Sequence, residues 1–133
     1  MKKFIILIYL SITVFANNKQ YELKLYEKVL GSLFEQKRIN VYVDDTLKEI
    51  LMKSENFIIV NKCSDALVQV GDNFELKCEN LPYFATSYKT FKNETDVIGA
   101  FYWRKGRPQL KLKTKVIDKF NLKLPKTLEK YAK

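Results

Sequence analysis

The stretch that decides the fold is Ile39–Val60, INVYVDDTLKEILMKSENFIIV. Ile39, Val41 and Val43 alternate with Asn40 and Tyr42, the period-two pattern of a strand. Asp44 and Asp45 end it. One of them, or Thr46, is suited to cap a helix from Thr46 to about Ser54, with Leu47, Ile50 and Leu51 on its apolar face. Phe57-Ile58-Ile59-Val60 is apolar on both faces, which fits a strand buried on both sides in a parallel sheet covered by helices. Strand, helix and strand in this order make one βαβ unit.

Upstream, Leu23, Tyr26, Leu30 and Leu33 fall three and four apart, with Val29 and Phe34 flanking the stripe. This predicts an amphipathic helix over Tyr21 to Glu35, in which Gly31 lowers helix propensity by about 1 kcal/mol relative to Ala. Downstream, Ala66 to Val70 reads as a strand closed by the turn Gly71-Asp72-Asn73. Leu81 to Thr86 reads as another, with Pro82 at a strand start or edge. Ile98 to Trp103 and Gln109 to Leu112 form a hairpin around Arg104-Lys105-Gly106-Arg107. Gly106 supplies the positive φ of a tight turn, and Pro108 is expected just outside the pairing. Two short helices, Thr114 to Phe120 and Pro125 to Tyr131, close the chain. The fold class is α/β, a small mixed sheet of about five to six strands with helices on its faces. It forms one compact domain over residues 17–133.

The leading residues give a compartment. Lys2 and Lys3 precede an uncharged apolar run from Phe4 to Val14, and Val14-Phe15-Ala16 offers residues that a signal peptidase accepts. Residues 1–16 are therefore expected to be a cleaved signal peptide, placing the domain in the periplasm. An uncleaved N-terminal membrane anchor is the alternative, although the run is shorter than the roughly 20 residues a spanning helix needs. In an oxidising compartment the two cysteines, Cys63 and Cys78, point to a structural disulfide. Closing a loop of about fifteen residues is worth ~3 kcal/mol in the chain-entropy estimate. Two buried free thiols are the competing arrangement.

The formal charge is +9, and the only arginines are Arg38, Arg104 and Arg107. Such a balance favours acidic partners, and export argues against nucleic acid among them. The chain contains no His, which removes the commonest general base, Ser–His and Cys–His pairs and most zinc sites. No Gly-rich phosphate loop is present. Asp44 and Asp45, adjacent on an extended segment, point to opposite sides and suit a cap better than a catalytic dyad. No enzyme activity, cofactor or metal is expected. The most distinctive surface feature is Tyr102, Trp103, Arg104, Lys105 and Arg107, where an aromatic pair stands beside three cations. Such a group suits an anionic or planar ligand, or a protein interface enriched in Trp, Tyr and Arg. An ordinary basic hairpin tip with Trp103 packed inward is the simpler alternative. Tyr83, Phe84 and Tyr88 form a second aromatic set, expected to be core.

Ile98-Gly99-Ala100-Phe101-Tyr102-Trp103, the turn at Gly106 and Arg107, Leu110, Leu112 and a closing helix near Leu128 and Tyr131 resemble the C-terminal end of the YfiR/HmsC-like family. Phe120-Asn121-Leu122-Lys123-Leu124 and Ser64-Asp65-Ala66-Leu67-Val68 are similar to further family segments. The chain departs from the family at Phe34-Glu35-Gln36-Lys37, where an aromatic-Trp-Pro ending is usual, and in having one pair of cysteines rather than two. The resemblance implies a small periplasmic regulator that restrains a membrane-bound signalling protein such as a diguanylate cyclase, with dimerisation and redox-sensitive disulfides. Two other functions compete: a periplasmic binding protein for a small anionic ligand, and a carboxylate-dependent envelope hydrolase.

Overall fold

Strand β1 (Ile39–Val43) pairs in parallel with β2 (Phe57–Ile59), and α2 (Asp45–Leu51) bridges them, so the βαβ unit forms as its pattern dictates. The computed structural model describes residues 2–132, with side chains from Asn18 onward; the leading segment read at residues 1–16 lies outside those side chains. Helix α1 (Lys2–Phe34) precedes β1. It ends where Glu35 turns to φ 53°, and Gln36, Lys37 and Arg38 then lead into β1. After β2 come β3 (Val68–Val70), β4 (Tyr83–Ala85), α3 (Tyr88–Asn93), β5 (Val97–Arg104), β6 (Arg107–Leu112) and α4 (Thr114–Lys119). Short 3₁₀ helices occupy Cys63–Asp65 and Lys126–Tyr131.

The six strands form one sheet in the order β2-β1-β3-β4-β5-β6, parallel from β2 to β5, with β6 antiparallel at the edge. Going from β1 to β2 the chain moves one way across the sheet; from β4 to β5 it moves the other way. Right-handed crossovers then place α2 and α3 on opposite faces. One face is helical and apolar: Tyr26, Val29, Leu30 and Leu33 of α1 pack with Val41, Val68, Val70, Phe84 and Phe101 in a single cluster. The same cluster takes in Leu47 and Leu51 of α2, Ile117 of α4, and Leu128.

The opposite face is covered differently. Phe91 of α3 packs on Tyr83, Ala85, Val97 and Ala100. Over β1 and β3, where a longer helix would ordinarily lie, two irregular connections cover the sheet, residues 60–67 and 71–82. Asn40 donates a hydrogen bond to the Asp65 carbonyl, and Tyr42 stacks on Phe74 at 5.5 Å between ring centroids. Gln69, fully buried, accepts from the Cys78 N–H at 2.9 Å and donates to the Cys78 carbonyl at 2.8 Å. A buried amide satisfied in this way fixes the position of the loop above it.

Four details differ from the sequence pattern. Phe57-Ile58-Ile59 forms an edge strand, with Ile58 40% exposed, because β3 pairs with the other side of β1 and leaves β2 without an outer neighbour. The strands buried on both faces are the three-residue β3 and β4 instead. Pro108 lies within the hairpin ladder opposite Trp103. A two-residue turn makes Arg104 and Arg107 the first hydrogen-bonded pair, so the next position points its nitrogen outward from an edge strand, where proline loses nothing. Tyr88–Asn93 is helical although it buries only Phe91; Ser87 caps it by accepting from the Thr90 N–H. Lastly, Lys126–Tyr131 is 3₁₀ rather than α, with Pro125 one position before it.

Candidate functional site

In a doubly wound sheet, ligands bind outside the carboxyl ends of the strands, where the strand order reverses. Here that point lies between β1 and β3, and it is closed by the protein's own carboxylate. Asp44, only 4% exposed, accepts from the Leu47 N–H at 3.0 Å as the N-cap of α2. Its other oxygen accepts from the N–H groups of Asp72 at 2.8 Å and Asn73 at 3.1 Å. Gly71 makes this approach possible. It adopts φ 129°, and a Cβ there would stand 2.3 Å from Asp44 Oδ2. Asp72 extends the tie to the next strand by accepting from the Thr86 N–H at 2.9 Å.

The crevice that remains beside Asp44, Asn73 and Phe74 is about 130 Å³. Small-molecule sites usually hold roughly 300–1,000 Å³. The switch point is thus a structural knot. Beneath it the Tyr26 hydroxyl is held far above the ordinary phenol range, chiefly by burial and then by the negative charges of Glu22, Asp44 and Asp72.

The hairpin residues singled out in the sequence are placed at the β5–β6 corner. Lys105 at φ 51° and Gly106 at φ 76° form the two-residue turn. That is the primed turn whose twist matches paired strands, and the lysine as well as the glycine takes positive φ. Strand alternation divides the set. Trp103 faces the α1 side, 5.7 Å from Phe101 and 6.2 Å from Tyr21 between ring centroids, and its indole N–H donates to the Glu22 carboxylate. It remains 37% exposed.

Tyr102 faces the α3 side, 6.2 Å from Tyr88. Arg104 and Arg107 are direct ladder partners on that same side. Trp103 and the two arginines therefore do not close on one ligand. Tyr102, Arg104 and Arg107 do share a surface, with exposed Tyr88 adjoining it. Of the second aromatic set, Tyr83 and Phe84 are core and Tyr88 is not. Among the described residues neither arginine forms an ion pair. Like charges directly opposite each other in a ladder are destabilising, so folding alone gives no reason for this pair.

Cys63 and Cys78 form the disulfide, 5.6 Å apart at Cα. Cys78 is buried against Gln69 while Cys63 is exposed on its 3₁₀ turn. The bond joins the two irregular connections that cover the second face. Lys77, next to it, pairs with Glu94 at the end of α3. Sequence reasoning placed the cap on Asp44, Asp45 or Thr46, of which Asp44 takes it, and found the disulfide, yet missed Gln69, Glu22 and the Asp72–Thr86 tie. The available signal was an aspartate ending β1 and a Gly-Asp-Asn ending β3, the same device at two neighbouring strand ends.

These features define a doubly wound α/β domain of six strands, disulfide-stapled, with a sealed switch point and an open aromatic–basic corner. Among the described residues no helix is long and apolar enough to cross a membrane. Comparison with known proteins finds no family model, curated protein or solved structure that matches the chain.

Proposed function

We propose that this chain is an exported, non-enzymatic regulatory domain whose β5–β6 corner binds an acidic surface on a membrane-bound signalling protein. The observation that carries this reading is the Arg104–Arg107 ladder pair: two exposed arginines opposite each other on the strand face of Tyr102, which Tyr88 adjoins, with neither in an ion pair among the described residues. Arginine and tyrosine are enriched where interfaces concentrate binding energy, and arginine suits bidentate pairing with carboxylates. The disulfide agrees with an oxidising compartment. Closure of the switch point by Asp44 favours a role carried by the outer surface over one carried by a bound metabolite. The resemblance to the YfiR/HmsC-like family supplies the class of partner, a diguanylate cyclase of the inner membrane.

The test is capture from solubilised membranes by the disulfide-intact protein, alongside Arg104→Ala/Arg107→Ala, with cyclic-di-GMP measured in cells lacking the gene. A membrane protein retained by the parent and lost by the variant, together with raised cyclic-di-GMP in the deletion strain, is expected. Identical capture by both forms and unchanged nucleotide levels would overturn the proposal.

A further inference from the structure

A second concave surface lies away from the hairpin's arginine side, between α1, β6 and the 3₁₀ helix Lys126–Tyr131. Its volume is about 350 Å³, within the range of small-molecule sites. Its floor is apolar, formed by Leu25, Val29, Leu110 and Leu128. Tyr21 and Tyr131 stand among its walls, and three lysines line it: Lys24 and Lys28, one helical turn apart on α1, and Lys130 opposite them. No acidic residue lines it, and among the described residues none of the three ammonium groups forms an ion pair. Lys130 instead sits 5.1 Å from the centroid of the Tyr131 ring. The groove continues along β6 past Lys111, sharing Leu110, Lys130 and Tyr131 with a shallower cleft of about 240 Å³.

An apolar floor and an all-cationic lining call for a ligand with two unlike parts. A free inorganic anion would leave the leucines uncovered, and a neutral hydrocarbon would leave three ammonium groups without a counter-charge. We infer that this groove binds a single small anionic amphiphile, an acyl or comparable apolar body lying on Leu110 and Leu128 with its carboxylate or phosphate among Lys24, Lys28 and Lys130. The site is independent of the arginine face of the hairpin, so it stands or falls separately from the partner-binding role.

The chain carries its own reporter. Trp103 is the sole tryptophan, and its ring lies 6.2 Å from that of Tyr21 at the wall of the groove. Tryptophan fluorescence is titrated with monomeric decanoate, decanol and decyltrimethylammonium, using the parent protein and Lys28→Gln/Lys130→Gln. Both substituted side chains are exposed. Saturable one-to-one binding of decanoate is expected, with decanol at least about tenfold weaker; the double variant should lose about tenfold for decanoate and little for decanol, as loss of two charges worth ~1.4 kcal/mol together implies. Equal affinity for the three probes, equal affinity of parent and variant for decanoate, or no saturable uptake would overturn the assignment. So would sedimentation with phosphatidylglycerol vesicles in the absence of monomer binding, which would make the lysines a membrane-facing surface.

Discussion

The switch point and the hairpin corner lie at the same end of the parallel strands, yet they treat their polar groups in opposite ways. At the switch point every donor is answered from within: Asp44 takes three backbone N–H groups, and Asp72 takes a fourth. At the corner, Arg104 and Arg107 are ladder partners, and among the described residues neither forms an ion pair. The first arrangement stabilises the fold and excludes a ligand. The second adds no such tie and leaves both arginines exposed to solvent. A fold that commonly binds ligands at its switch point is here closed there, and its exposed aromatic–basic residues lie at the periphery instead.

Breaking the sealed centre should have the largest effect. Asp44→Ala removes the acceptor of three N–H groups at a buried position. Each unsatisfied donor costs about 1–3 kcal/mol before relaxation, so a loss of roughly 3–5 kcal/mol is expected in urea unfolding. This is a large part of the 5–15 kcal/mol typical of a domain. A loss below about 1 kcal/mol would mean that solvent or neighbouring groups satisfy the centre as well as Asp44 does.

Next comes the staple over the second face. Cys63→Ser/Cys78→Ser should lower stability by about 3 kcal/mol, given the fifteen-residue separation. Thiol labelling of the native parent should modify neither cysteine. Labelling of both without unfolding would contradict the bond.

A third measurement probes the tyrosine beneath the centre. Tyr26 ionises far above its ordinary pKa in the folded state because of burial, Glu22, Asp44 and Asp72. The unfolded chain therefore releases a proton that the native one keeps. Stability is unaffected by this group below about pH 10 and falls above it by about 1.4 kcal/mol per pH unit. Tyr83, also raised and also first by burial, acts in the same direction. Tyr26→Phe should remove one proton's share of the slope between pH 10 and 11, leaving the rest. An unchanged slope would place the alkaline sensitivity elsewhere.

The smallest stability effect is expected at the open corner. Arg104→Ala/Arg107→Ala removes two like charges from an exposed turn and should change stability by about 0.5 kcal/mol or less, in the stabilising direction if repulsion dominates. A clear destabilisation would show that the pair belongs to the fold, and the contrast between the two regions would dissolve.

Much of this was legible in the residues. Period-two alternation in Ile39–Val43, the 3–4 spacing of Tyr26, Leu30 and Leu33, and the glycine-bearing turn each found their elements, because these patterns record which side of a segment meets the core. Where local pattern failed, the cause was context. Val68-Gln69-Val70 contains a polar residue at its centre, yet it is wholly buried because Cys78 lies above the glutamine. Phe57-Ile58-Ile59 is apolar throughout, yet it is an edge strand. Three-residue strands are too short to display a period, and Ser87 with a single buried phenylalanine is a faint signal for α3.

The candidate surface was found in part. Arg104, Arg107 and Tyr102 share a face as their spacing allows, while Trp103, adjacent in sequence, is turned to the other side by the pleat and held there by Glu22, a residue of α1. The sequence alone determined the α/β class, the βαβ unit, a cap within Asp44–Thr46, the hairpin turn and the even count of cysteines. Each rests on interactions within a few residues or on composition. Tertiary structure decided the strand order, the two further donors that reach Asp44 from Asp72 and Asn73, the loop under which Gln69 is satisfied, and the groove between α1 and Lys126–Tyr131. Those depend on approach between segments far apart along the chain, 28 residues for Asp44 and Asp72, and no local pattern encodes the distance at which they meet.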